Sequence, residues 1–168
     1  KNKKYITIGP GRGHVWVEKM SNSTFTQIYL HIVFAVKSRE KVLKSTFRDE
    51  VLKFITSIIH NRNHKVREIN GVEDHIHILI GYNPNQALPD LIRDIKSESS
   101  KFINEKRFIR GHFSWQEGYG AFTIGKTELD RIHNYIRDQE NHHLEESSIS
   151  EIRRFLASYG HENPQNYQ

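Results

Sequence analysis

Two hydrophobic periods organise this chain. Across residues 27–36 (QIYLHIVFAV), β-branched and aromatic side chains form an almost continuous apolar run, which predicts a buried strand interrupted by His31. Residues 46–61 change to helical spacing, with Phe47, Val51, Phe54, Ile55, Ile58 and Ile59 on one stripe. Residues 65–72 and 74–80 return to the strand period, and the second of them, DHIHILI, alternates strongly. A tight turn near Asn70-Gly71 or Glu73-Asp74 is expected to join these two strands. A second amphipathic helix is predicted over residues 88–106, carried by Leu91, Ile92, Ile95, Phe102 and Ile103, with Pro89 tolerated in its first turn. Short strands are expected at 113–115 and 121–124, around the Gly118-Tyr119-Gly120 bend. Thr127 is the expected N-cap of a third helix from about Glu128 to His143, and residues 150–158 read as a short final helix.

The order strand, helix, strand, strand, helix, strand, helix predicts an α+β fold of the ferredoxin-like, split β-α-β kind. Its sheet is antiparallel with helices on one face, and a further helix follows toward the C-terminus. Residues 1–19 stand outside this pattern. They have no sustained period, contain a Gly-Pro-Gly cluster and precede the only methionine, Met20. They read as a non-native leader, and residues 20–168 as a single domain.

Setting the leader aside changes the electrostatics. Residues 1–19 hold five basic side chains and one acidic one, so without them the formal charge falls from +5 to +1. Global charge is then weak evidence for a nucleic-acid partner. The local distribution is more informative: residues 37–67 are rich in lysine and arginine, while acids dominate residues 128–151. Such a basic half could hold phosphates, though solvated helix faces account for charge runs as well. The absence of cysteine excludes a disulfide framework and thiolate chemistry. No apolar run approaches the roughly 20 residues a membrane helix needs. A soluble, cytoplasmic protein with no membrane partner and no organic cofactor is expected.

Candidate chemistry concentrates in two places. His75-Ile76-His77 lies inside the apolar strand, and side chains two apart on a strand share a face, roughly 7 Å from one another. Both imidazoles therefore face one way while Ile76, Ile78 and Ile80 face the other. Histidines in such a strand lose solvation unless something binds their nitrogens, and a divalent cation does so well. Two half-exposed sheet histidines are the plain alternative. The second place is the third helix, where Tyr135 and Gln139 are one turn apart on one face. A phenol ionises near pH 10 and is a weak nucleophile unless its electrophile is polarised. A metal held by the histidine strand would polarise a phosphoryl oxygen, and Gln139 could add a neutral oxygen ligand. Taken alone, a tyrosine and a glutamine on one helix face are usually surface residues. Their co-occurrence with the histidine pair carries the reading.

These residues resemble the HUH single-tyrosine transposases of bacterial insertion sequences, including the REP-associated and related single-strand DNA transposases. The His-hydrophobic-His strand appears here as Asp74-His75-Ile76-His77-Ile78-Leu79. Trp115-Gln116-Glu117-Gly118-Tyr119-Gly120-Ala121-Phe122 is similar to the segment preceding that family's catalytic helix. Tyr135-Ile136-Arg137-Asp138-Gln139, followed by His142-His143, resembles the nucleophile helix itself. The likeness runs from about Thr26 to Gly160.

The resemblance implies a metal-dependent enzyme that cuts single-stranded DNA beside end hairpins and rejoins the strands. Tyr135 would be the nucleophile, forming a 5′-phosphotyrosine link. His75, His77 and Gln139 would hold a divalent metal, Mg²⁺ or Mn²⁺, although imidazole ligands favour Mn²⁺ or Zn²⁺ over Mg²⁺. Asp74, His142 and His143 are candidates for an outer shell. A homodimer is implied, whose sites can combine one subunit's histidine strand with the other's tyrosine helix. Phosphate contacts are expected from Lys37, Arg39, Lys41, Lys44, Arg93, Lys96 and Lys101, and base stacking from Tyr82, Trp115 or Tyr119. Two other readings use the same residues. One is a nickase of the replication-initiator type, which usually carries lysine where Gln139 stands; the other is a non-catalytic hairpin-binding protein, which should have lost a ligand or the nucleophile.

Overall fold

Strand β1 (Lys4–Ile6) pairs antiparallel with β2 (Val15–Val17), with Tyr5 opposite Trp16. A paired element was not expected within residues 1–19. Besides these two strands, the computed structural model describes residues 26–139, so the helix predicted at 150–158 lies outside the described residues.

The remaining elements follow the predicted order. They are β3 (Tyr29–Ala35), α1 (Ser45–Asn61), β4 (Lys65–Gly71), β5 (His75–Gly81), α2 (Leu88–Lys106), β6 (Gly120–Thr123) and α3 (Leu129–Arg137). The strands form one four-stranded sheet in the order β4-β5-β3-β6, antiparallel throughout. This is the split β-α-β arrangement: α1 carries the chain from β3 to β4 with β5 between them, and α2 carries it from β5 to β6 with β3 between them.

Alternation divides the sheet into two faces. Leu30, Ile32 and Phe34 of β3 and Ile76, Ile78 and Ile80 of β5 belong to one buried cluster with Val51, Ile55 and Ile59 of α1 and Leu91, Ile92 and Ile95 of α2. Each such burial contributes about 1.5–3 kcal/mol, which holds both long helices on this side. Arg62, just past α1, adds a polar tie by donating to Asp94 (2.7 Å) and Glu98 (2.5 Å) of α2. The opposite face carries His75, His77 and Leu79, and a smaller apolar cluster of Leu79, Ile124, Ile132 and Ile136 seats α3 there. No helix among the described residues is long and apolar enough to cross a membrane.

Three local expectations are corrected. Residues 113–115 do not form a strand; Trp115 makes an isolated bridge to Val36 because its indole is drawn into the core, edge-on to Phe34 and Phe113 and donating to Ser99 Oγ (2.8 Å). Thr127 does not cap α3. A single 3₁₀ turn, Lys126–Glu128, leads into the helix, and Glu128 holds the N-cap position without a side-chain bond. The third helix is interrupted within its expected span: α3 ends at Arg137, a turn follows at Asp138, and Gln139 is again helical, while its expected end at 140–143 lies outside the described residues.

The turn between β4 and β5 falls at Val72–Asp74, the second of the two expected places. It closes through Val72 N–H donating to the His75 carbonyl (3.0 Å). Gly71 makes this closure possible. A Cβ there would lie 2.7 Å from both the His75 carbonyl oxygen and Ile76 Cγ2, closer than side chains tolerate. The strand bearing the histidines is therefore pressed directly against backbone.

Candidate catalytic and metal site

His75 and His77 are placed by strand period alone. Both are buried on the α3 face of β5, and the register sets Ala35 opposite His75 and Val33 opposite His77. Four side chains meet them. Asp74 Oδ1 lies 2.7 Å from His75 Nδ1, and His31 Nε2 lies 2.9 Å from His77 Nδ1. Gln139 Nε2 lies 3.4 Å from His75 Nε2 and 3.2 Å from His77 Nε2. The Tyr135 ring stands edge-on to His77, with centroids 5.9 Å apart.

α3 delivers Tyr135, and the turn at its end delivers Gln139. Ile132 and Ile136 fix the helix to Leu79, Asn70 donates to the Arg137 carbonyl (2.9 Å), and His133 Nε2 sits 3.3 Å from Glu68 Oε2. The apolar cluster sets the helix against the sheet, and the polar contacts hold its C-terminal end beside the histidines. Gln139 is fully buried, while Tyr135 remains half-buried.

This donor set suits a divalent cation. Both imidazole Nε2 atoms are directed at one point, the Gln139 carboxamide, where an unprotonated Nε2 would present a lone pair. Turning the Gln139 carboxamide about its Cγ–Cδ bond exchanges nitrogen for oxygen and would present a third neutral donor there. Among the described residues no cluster of three His, Cys, Asp or Glu side chains forms a metal cage, because the third convergent group is this carboxamide.

The predicted basic residues separate into three groups. Lys37, Arg39 and Lys41 sit on the loop leaving β3 at the His75 end of the sheet, and among the described residues they make no ion pair. Ser38 and Arg39 adopt left-handed φ values of 54° and 53°, an unusual pair of non-glycine residues in that region. Lys44 pairs with Glu73 (2.8 Å). α2 lies behind the sheet, away from the histidines; there Arg93 pairs with Asp90 (2.6 Å), and Lys101 Nζ is 3.8 Å from Glu105. Lys96 is engaged internally, donating to the carbonyls of Gln116 (2.9 Å) and Gly118, and burial lowers its ammonium to about 8. It therefore fixes the segment before β6. His142 and His143 lie outside the described residues.

The aromatic candidates also divide. Trp115 is core. Tyr82 is held by donation to the Gln86 carbonyl and by stacking on His64 (5.2 Å), and Tyr119 is half-buried beside Lys96. Sequence reasoning missed a second feature of the histidine face. Gly81, at the far end of β5, lies between Tyr29 and Lys65 and leaves a concavity of about 270 Å³ lined also by Arg67, Tyr82, Asn63 and Asn83. A β-bulge at Arg67 breaks the β4–β5 register, and the guanidinium lies over the Tyr29 ring at 5.6 Å. His31 was noticed only as a break in an apolar run; a polar residue on the inward face of that strand was the available signal.

The fold and site together are a split β-α-β sheet with a buried two-histidine strand and a tyrosine-bearing helix laid across it. The family described as Transposase IS200 like matches residues 24–139, and this chain belongs to it. The chain is 25% identical over 141 residues to the ISDra2 transposase TnpA of Deinococcus radiodurans, covering 81% of this chain and 94% of that protein. It is 29% identical over 126 residues to the transposase for insertion sequence element IS200 of Salmonella typhimurium, covering 72% and 80%. Two solved structures share the fold. One is a putative transposase from Deinococcus radiodurans (TM-score 0.56, 20% identity, covering 73% of this chain and 98% of that one). The other is a REP-associated tyrosine transposase bound to a REP hairpin (TM-score 0.56, 12% identity, covering 76% and 74%).

Proposed function

We propose that this transposase cuts and rejoins single-stranded DNA beside end hairpins, with Tyr135 as nucleophile and a divalent metal held by His75, His77 and Gln139. The observation that carries this reading is convergence. Both imidazole Nε2 atoms come within 3.4 Å of one carboxamide nitrogen, and the phenol ring lies against one of those imidazoles.

When bound, Mg²⁺ or Mn²⁺ supplies Lewis-acid polarisation of the scissile phosphate. The rest follows from the chain's own residues. Tyr135 Oη attacks phosphorus, the Oη–P bond forms, and the P–O3′ bond breaks. The phenolic proton passes to water, the released 3′ oxygen takes one up from water, and a 5′-phosphotyrosine remains. Attack by a 3′-hydroxyl on that link reverses the exchange, so joining needs no external energy. The α3 packing acts here by orientation, because a phenol held beside the phosphate meets a much smaller entropic barrier.

DNA is proposed to approach over the α3 face. Lys37, Arg39 and Lys41 stand at its histidine end, and Lys65, Arg67 and Tyr29 line the concavity at the other. Cations beside a half-buried aromatic ring suit phosphate and an unpaired base. A homodimer with the same two-part site remains part of the proposal.

The test is a labelled single-stranded hairpin DNA incubated with protein and Mn²⁺, then resolved under denaturing conditions. A covalent adduct is expected, together with strand-exchanged product. Cleavage and resealing without exchange would reduce the reading to a nickase, and binding alone would reduce it to a hairpin-binding protein.

A further inference from the structure

Resting on the metal reading above, we infer that His31 is a positioning residue for His77, holding its ring in the tautomer that a cation requires. His31 is fully buried on β3 and lies outside the metal-binding set. It sits diagonally across from His77, since the register pairs His31 with Leu79 and Val33 with His77. A diagonal neighbour on one sheet face is within reach of a long aromatic side chain. The two rings stack with centroids 5.1 Å apart and planes 23° from parallel.

Metal binding sets the protons required. A cation at His77 Nε2 needs that nitrogen to carry none, and the Gln139 carboxamide lies 3.2 Å from it. A neutral His77 ring therefore bears its proton on Nδ1, and the atom facing Nδ1 at 2.9 Å is His31 Nε2. His31 must accept there, which puts its own proton on Nδ1. His75 follows the same logic with a different partner: with Nε2 free for a cation, its Nδ1–H would donate to Asp74 Oδ1, 2.7 Å away. Each candidate ligand thus has its far nitrogen engaged, one by a carboxylate and one by an imidazole. The hydrogen bond on the far nitrogen decides which nitrogen is free to bind metal. Without His31, the His77 proton would no longer be held on Nδ1, and the Nε2 lone pair would be lost for part of the time.

A ring that merely filled space would be replaced well by phenylalanine, whereas a hydrogen-bond acceptor would not. The experiment uses the full chain as wild type, His31→Phe, His31→Gln and His75→Ala. Imidazole tautomers are read by ¹⁵N NMR without metal, Mn²⁺ affinity by calorimetry and folding by thermal melting. The expected result is a wild-type His77 in the Nδ1–H form. His31→Phe is expected to stay folded, show a mixed His77 tautomer and bind Mn²⁺ about 10–100-fold more weakly. His31→Gln, whose carboxamide oxygen accepts, should recover most of that loss.

A folded His31→Phe that binds Mn²⁺ as tightly as wild type overturns the inference. So does a wild-type His77 protonated on Nε2, a reading that stands even if the phenylalanine variant fails to fold. Equal Mn²⁺ affinity in wild type and His75→Ala would instead bring down the metal reading, while the metal-free tautomers would still judge the His31–His77 bond.

Discussion

Asp74 and His75 are chain neighbours whose side chains meet, Asp74 Oδ1 lying 2.7 Å from His75 Nδ1. Consecutive residues within a strand point to opposite faces, so the contact depends on Asp74 being the last residue of the turn and not the first of the strand. The turn is tied down from outside by Val36 N–H donating to the Asp74 carbonyl at 2.8 Å. Asp74 therefore orients the imidazole through a bond whose geometry the turn supplies. Replacing it with alanine should weaken Mn²⁺ binding about 10–100-fold. Asparagine, which keeps an acceptor oxygen, should lose less. Calorimetry on the two variants checks the order, and equal affinities for alanine and wild type would remove Asp74 from the site.

Tyr135→Phe retains the ring that packs against His77 and loses only the hydroxyl. The expected outcome is loss of the covalent DNA adduct, with hairpin affinity and Mn²⁺ affinity within about twofold of wild type, because a group acting only in the chemical step leaves ground-state binding alone. An adduct formed by the phenylalanine variant would show that another residue attacks.

Lys65 and Arg67 are predicted to neutralise phosphates at the Gly81 concavity. Single changes to alanine should weaken binding to hairpins of different sequence by similar factors, and each should reduce the slope of log affinity against log salt by about 1. Affinity and slope measured across a salt series decide this. Unchanged slopes in both variants would exclude the concavity from the DNA path.

Gly71→Ala tests the contact beneath the histidine strand. With backbone 2.7 Å from the new methyl group, the strand must shift, and a cost of about 1–3 kcal/mol is expected in urea unfolding. The same displacement should reduce Mn²⁺ affinity. A variant as stable as wild type would mean the β4–β5 turn relaxes freely.

Lys96 gives a pH signature. Burial lowers its ammonium from the ordinary 10.5 to about 8, so between those values the unfolded chain binds more protons than the folded one. Stability from this group therefore rises with pH across that window, and the burial penalty is fully present below about 8. Lys96→Met removes this titration. The stability difference between variant and wild type should change from pH 8 to 10.5 and be flat below, as followed by urea midpoints. Parallel curves throughout would show that its two carbonyl bonds offset the burial.

Much of the fold could be read from residues 46–61 and 88–106, whose helical stripes gave α1 and α2 nearly to the residue. Those stripes are long, so errors at single positions average out. Short elements were harder: residues 113–115 looked like a strand because Phe113 and Trp115 favour one, yet the indole gains more from core packing and its bond to Ser99. Basic residues were the least legible. Lys96 and Arg93 look alike in sequence, but one is folded onto carbonyl oxygens and the other is exposed behind the sheet.

By itself, the sequence determined which atoms could do chemistry here: period two put His75 and His77 on one face, and helical period put Tyr135 and Gln139 on another. Those periods are local properties of backbone geometry, set by covalent structure and sterics. Only the tertiary structure decided that the two faces meet, that His31 and Asp74 stand behind the imidazoles, and which cations are left to face solvent. Such facts depend on strand register and helix docking, which come from apolar burial summed over distant residues, and no short window of sequence contains them.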